Sequence, residues 1–122
     1  MNRLLYVEDE TDFTEYLENE LRDHFDITTA LDASEAIGLL TAKSFEYIIL
    51  DISYDGIGSA KNILDFLEVI KSHNSSKIYL VSGDKFKATE LISLYDFLNM
   101  EDFYLKPEGY FKLIEILKIK ES

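Results

Sequence analysis

The sequence predicts an α/β fold: a doubly wound, five-stranded parallel sheet with helices on both faces. Three observations predict it. Short apolar runs alternate with stretches of helical periodicity five times along the chain, the pattern of strands linked by crossover helices. The run Tyr47-Ile48-Ile49-Leu50 is apolar without alternation, as a strand buried on both faces should be. Several of the runs end on acidic or polar residues, and in open α/β sheets ligands gather in the crevice beyond the carboxyl ends of the strands.

Taken in order, Arg3 to Val7 is a short apolar run and a first strand, ending on Glu8-Asp9-Glu10. From Asp12, Phe13, Tyr16, Leu17 and Leu21 recur at helical spacing with charged residues between them, which predicts an amphipathic helix. Phe25 to Leu31 contains Ile27, Thr28 and Thr29, residues that favour a second strand. Ser34 precedes Glu35, Ala36, Ile37, Leu39 and Leu40 as an N-cap, with the helix ending near Lys43. The third strand runs to Asp51, and the glycines of Ile52-Ser53-Tyr54-Asp55-Gly56-Ile57-Gly58-Ser59 mark a loop. Ile63, Leu64, Phe66, Leu67 and Ile70 give the next helical face, closing around Lys71 to His73. Lys77 to Val81 is a fourth strand ending on Ser82-Gly83-Asp84, and Leu91, Ile92, Leu94, Tyr95 and Leu98 predict a fourth helix. Asp102 to Leu105 is a short fifth strand leading into Lys106-Pro107, and Tyr110 to Ile119 is a last helix.

The 122 residues, 47% of them hydrophobic, suit one domain spanning 1–122. The absence of cysteine removes disulfides, thiolate catalysis and Cys-based zinc sites. No apolar stretch is long enough for a signal peptide or a bilayer span, so a cytoplasmic protein is expected. Twelve basic against twenty-four acidic residues give a net charge of -12, which repels a phosphate backbone. No nucleic acid and no membrane are expected as partners of this chain; a basic protein or a divalent cation is the better electrostatic match. One proline and five glycines leave no room for a flexible linker.

A parallel sheet gathers residues distant in sequence at one edge. Glu8 and Asp9 follow the first strand, Asp51 ends the third, Ser82 follows the fourth and Lys106 the fifth. Asp51 alone reads more readily as a cap of the segment after it, Glu8 and Asp9 as first-turn acids, and Ser82 as a turn residue. Together they read differently. Clustered carboxylates take up protons or bind a cation, and a hard divalent ion such as Mg2+ suits oxygen ligands. Metal, lysine and hydroxyl jointly suit an incoming phosphoryl group, with Asp51 as the nucleophile that forms an acyl phosphate.

On Leu5-Tyr6-Val7-Glu8-Asp9-Glu10, Ile48-Ile49-Leu50-Asp51, Val81-Ser82-Gly83 and Tyr104-Leu105-Lys106-Pro107, in this order and at these intervals, the chain resembles the CheY-like receiver domains of two-component response regulators. The resemblance implies that Asp51 accepts a phosphoryl group from a histidine kinase or phosphotransfer protein. It implies that Glu8, Asp9, Asp51 and the backbone carbonyl of Ser53 hold Mg2+. It also implies Lys106 as the catalytic cation, Ser82 as the switch hydroxyl, Phe103 as the aromatic switch position and a cis peptide before Pro107. Such a protein is not an enzyme acting on other substrates; it catalyses its own phosphorylation and dephosphorylation, and Ser53 and Asp84 stand where the family tunes the latter. Its downstream protein partner is expected on the face made by the fourth helix, last strand and last helix. The chain departs from the pattern at Ile52 to Gly58, which has no proline and an early Asp-Gly pair, and Phe103 carries no hydroxyl.

Other signals are weaker. His24 and His73 have no partner at metal-ligand spacing and are read as structural or exposed. Gly56-Ile57-Gly58 lacks the third glycine of a dinucleotide fingerprint, and no Walker-type lysine loop occurs. The aromatics are expected mostly in the core, with Tyr95, Phe97, Phe103, Tyr104 and Tyr110 forming one cluster beside the fourth helix. Two rival readings stand: a receiver-like interaction module that is never phosphorylated, and a small phosphohydrolase with an aspartyl nucleophile. The second lacks an acid two residues after Asp51, where Ser53 stands.

Overall fold

The computed structural model describes residues 1–52, 60–72 and 75–121, the side chains of 60–63 excepted. Ser53, the rest of the loop through Gly58, and His73 therefore lie outside the described residues. The strands are β1 (Asn2–Val7), β2 (Phe25–Ala30), β3 (Tyr47–Asp51), β4 (Lys77–Ser82) and β5 (Phe103–Leu105). Helices α1 (Thr11–Leu21), α2 (Ala33–Ala42), α3 (Ala60–Lys71), α4 (Lys85–Ile92) and α5 (Glu108–Lys120) alternate with them. All strand pairs are parallel, in the order β2-β1-β3-β4-β5. The predicted five-stranded, doubly wound sheet is the fold found.

Strand side chains alternate between faces, and this alternation builds two cores. Leu5, Val7, Ile48, Leu50 and Leu80 face one way and pack with Ala36 and Leu40 of α2, Phe66 and Ile70 of α3, and Leu91 of α4. Leu4, Tyr6, Ile49, Tyr79 and Val81 face the other way and pack with Leu17 and Leu21 of α1 and Leu113, Ile114 and Leu117 of α5. Ile48, Ile49 and Leu50 are fully buried, as a central strand covered on both faces requires. Strand order reverses between β1 and β3, so the crevice where helices diverge to opposite faces opens beside the ends of those strands. No described helix is long and apolar enough to cross a membrane.

Four local expectations are corrected. The N-cap of α2 is Asp32, whose carboxylate accepts from Glu35 N at 2.8 Å; Ser34 lies inside the helix. Helix α4 begins earlier than its apolar spacing suggested, because Asp84 caps it by accepting from Phe86 N and Lys87 N at 3.0 and 3.1 Å. It ends at Ile92, and the spacing through Leu98 belongs to single turns such as Leu94 N to Leu91 O, which leave Leu94 exposed. Asp102 belongs to a 3₁₀ turn (Met100–Asp102) ahead of β5. The aromatic cluster is divided by the sheet: Phe103, with Tyr95 and Phe97, packs on the α2–α4 side, whereas Tyr104 and Tyr110 pack on the α1–α5 side. Adjacent residues of one strand cannot share a face.

The peptide between Lys106 and Pro107 is cis, as expected. Helix α5 starts directly after it, and Gly109 in its first turn makes the close approach possible. A Cβ there would lie 3.1 Å from the carbonyl carbon of Tyr104.

Candidate active site

The ends of β1, β3 and β5 converge on one ammonium group. Lys106 Nζ lies 2.6 Å from Glu8 Oε1 and 3.0 Å from Asp51 Oδ2. Glu8 and Asp51 are fully buried, and the lysine side chain is nearly so. Backbone bonds that continue the sheet fix all three: Glu8 N donates to Ala30 O, Ile52 N to Val81 O and Lys106 N to Ser82 O, each at 2.9 Å. The strands thus deliver their polar ends into the crevice with little freedom to retreat.

Two buried carboxylates against one ammonium leave the group short of positive charge when both acids are ionised. Burial, reinforced by Asp51, pushes the Glu8 carboxyl up to about 7, against the opposing bonds from Lys106 and Tyr6. Burial pulls Lys106 down, but its bond to Glu8 and the charge of Asp51 outweigh this and the net shift is upward, so it stays protonated. The ammonium also sits 4.0 Å over the Phe13 ring, a cation–π contact on the side facing α1.

Asp9 and Glu10 are exposed beside Glu8, and carboxylate oxygens of the three lie within 4.8 Å of one another. Together with Asp51 this is an all-oxygen, anionic donor set at the mouth of a buried acid pair, and it fits a hard divalent cation. Among the described residues, Glu8, Asp9 and Glu10 bring carboxylate oxygens close enough to share one, and Asp51 stands beside Glu8 across Lys106.

Ser82 is buried at the end of β4, one position beyond Val81, the register partner of Asp51. Its hydroxyl is engaged locally, accepting from Asp84 N at 3.0 Å and lying 3.3 Å from Asp84 O. It thereby closes the turn into α4. Phe103 is half-buried opposite Leu80, on the sheet face that also carries Ser82 by parity. Of the residues picked from the sequence, the structure joins Glu8, Asp51 and Lys106 directly, sets Asp9 at their rim, and brings Ser82 and Phe103 to the neighbouring strands.

Sequence reasoning passed over Tyr6. Its hydroxyl donates to Glu8 Oε1 at 2.7 Å, and burial drives its pKa upward, so it remains a donor. The available signal was its position two residues before Glu8, on the same face of the strand.

No protein-family model matches the chain, and no curated protein matches it. Solved structures do. Response regulator TrrA of Thermotoga maritima, solved in complex with Mg2+-BeF, aligns at 27% identity and TM-score 0.73, covering 98% of each chain. A CheY-like response regulator receiver domain from Methanospirillum hungatei aligns at 20% identity and TM-score 0.76, covering 98% of this chain and 93% of the other. A de novo designed Rossmann 2x3 protein also aligns, at 17% identity and TM-score 0.74, covering 100% of this chain and 94% of its own. Backbone likeness at this level carries the fold, and chemistry has to be argued from side chains. Near full-length agreement with several response regulators gives the chain the fold of CheY-like receiver domains.

Proposed function

We propose that residues 1–122 act as one receiver domain of a cytoplasmic two-component or phosphorelay pathway, accepting a phosphoryl group on Asp51 from a histidine kinase or phosphotransfer protein. The observation that carries this reading is the fully buried Asp51 carboxylate held 3.0 Å from Lys106 beside Glu8, at the strand ends. An Asp51 oxygen attacks phosphorus as the P–N bond of phosphohistidine breaks, leaving an acyl phosphate and a free imidazole. Lys106 neutralises the phosphoryl oxygens, and Ser82 leaves its turn with Asp84 to donate to one of them. Glu8, Asp9 and Asp51, with the carbonyl of Ser53, would hold Mg2+, which would supply countercharge to the transferring group. Phe103 turns toward the space Ser82 vacates, which alters the surface of α4, β5 and α5 for a downstream protein. Water later cleaves the acyl phosphate.

The Lys106 bridge also favours a second reading, since an ammonium already shared by two acids can be a purely structural contact in a receiver-like module. Incubation with Mg2+ and acetyl phosphate or beryllofluoride separates them. A phosphoryl or BeF adduct that Asp51→Asn abolishes supports phosphotransfer; an unreactive, folded wild-type chain supports the module, and continuous release of phosphate from small phosphate esters would mark a hydrolase.

A further inference from the structure

Tyr6 is the next-to-last residue of β1, with no exposed surface, and nothing in the phosphotransfer scheme uses it. Its ring stacks on Tyr110 at 6.1 Å, with the planes 24° apart, and the Tyr110 hydroxyl donates to Phe13 O at 2.5 Å. The ring is therefore braced against an anchored neighbour. That places its hydroxyl 2.7 Å from Glu8 Oε1, the same oxygen that Lys106 reaches at 2.6 Å. Two strong donors occupy one carboxylate oxygen, whereas Glu8 Oε2 accepts a longer bond, 3.3 Å, from Glu10 N, with the Asp51 carboxyl also in contact with Glu8. A carboxylate has lone pairs on both oxygens, so strong donors concentrated on one leave the other with more acceptor capacity for a further ligand. The neighbouring Asp9 and Glu10 carboxylates bring their oxygens to that mouth.

We propose that Tyr6 is a positioning residue for the divalent-cation site: its hydroxyl pins Glu8 Oε1 toward Lys106 and so presents Oε2 to the cation. A glutamate needs such a hold. Its side chain has one more rotatable bond than an aspartate, and a ligand left free to rotate pays that entropy on binding. Partners that orient metal-binding carboxylates typically affect metal affinity by about 10–100-fold. The inference rests on the cation site of the preceding reading.

The test is calorimetric titration of the full chain with Mg2+ alone, comparing wild type, Tyr6→Phe and Tyr79→Phe. Tyr79 is the control because its buried hydroxyl has no partner among the described residues, on the same sheet face. Tyr6→Phe is expected to weaken Mg2+ binding about tenfold while Tyr79→Phe leaves it unchanged. Equal affinity in Tyr6→Phe and wild type overturns the role of Tyr6 and leaves phosphotransfer standing. No binding by wild type overturns both. Should Tyr6→Phe not fold, NMR of tyrosine-labelled wild type decides: the Tyr6 signals are expected to move on Mg2+ addition and those of Tyr79 to stay, and an unmoved Tyr6 sinks the proposal.

Discussion

At the scale of single residues, the site is a problem of charge. Glu8 is raised from 4.5 to about 7, burial first and Asp51 second, so the folded chain prefers it protonated. The stability linked to that preference is complete below the unfolded value near 4.5 and is lost as pH rises through about 7. Thermal melts in metal-free buffer are therefore expected to fall from pH 5 to pH 7.5, and Glu8→Gln is expected to flatten that slope. A wild-type melting temperature that rises over the same interval contradicts the assignment. Lys106 is the counterweight. Lys106→Met leaves two buried carboxylates with no cation between them, and losing one partner of a buried ionic group costs about 3–5 kcal/mol. Urea unfolding at pH 7.5 measures it; a loss under about 1 kcal/mol would show the acids satisfied by other means.

At the scale of elements, the strands and most helices were legible because their apolar periods agree with burial: Ile48 to Leu50 reads as buried on both faces and is. What escaped depended on single polar side chains that periodicity does not weigh. Asp32 outcompetes Ser34 for the start of α2, and Asp84 starts α4 several residues ahead of its apolar stripe. The aromatic cluster failed for the opposite reason, since proximity in sequence at Phe103 and Tyr104 means separation by the sheet. The pocket itself was legible from strand ends, but the hydroxyl of Tyr6 was hidden in an apolar run. Asp84 gives the element-level test: Asp84→Ala removes the acceptor for two backbone N–H groups and should cost about 1 kcal/mol. Because Asp84 N also donates to Ser82 Oγ, the backbone turn should persist, and circular dichroism should change little. A variant as stable as wild type in urea would mean that solvent replaces the cap.

At the scale of the whole molecule, the topology turns remote sequence into adjacency: Lys106 meets an acid 98 residues away and another 55 residues away. Any receiver-like backbone can do this, as the match to a designed protein shows, so function depends on the charge that the sheet collects. The chain carries a net charge of -12, and part of any stabilisation by Mg2+ will be general screening. A specific site adds to it. At a concentration one hundred times its dissociation constant, a cation bound by the folded chain alone contributes about 2.7 kcal/mol. For a domain of this size that is a rise of about 10 °C in melting temperature over NaCl at matched ionic strength. Asp9 discriminates the two contributions, because it is exposed and its replacement should change metal-free stability by no more than about 0.5 kcal/mol. Asp9→Asn is expected to keep the screening response and lose most of the Mg2+ increment. If NaCl reproduces the whole rise, the acids at the strand ends hold no cation of their own and the phosphoryl group would have only Lys106 and Ser82 to meet it; if Asp9→Asn retains the Mg2+ increment, Asp9 is not among the ligands.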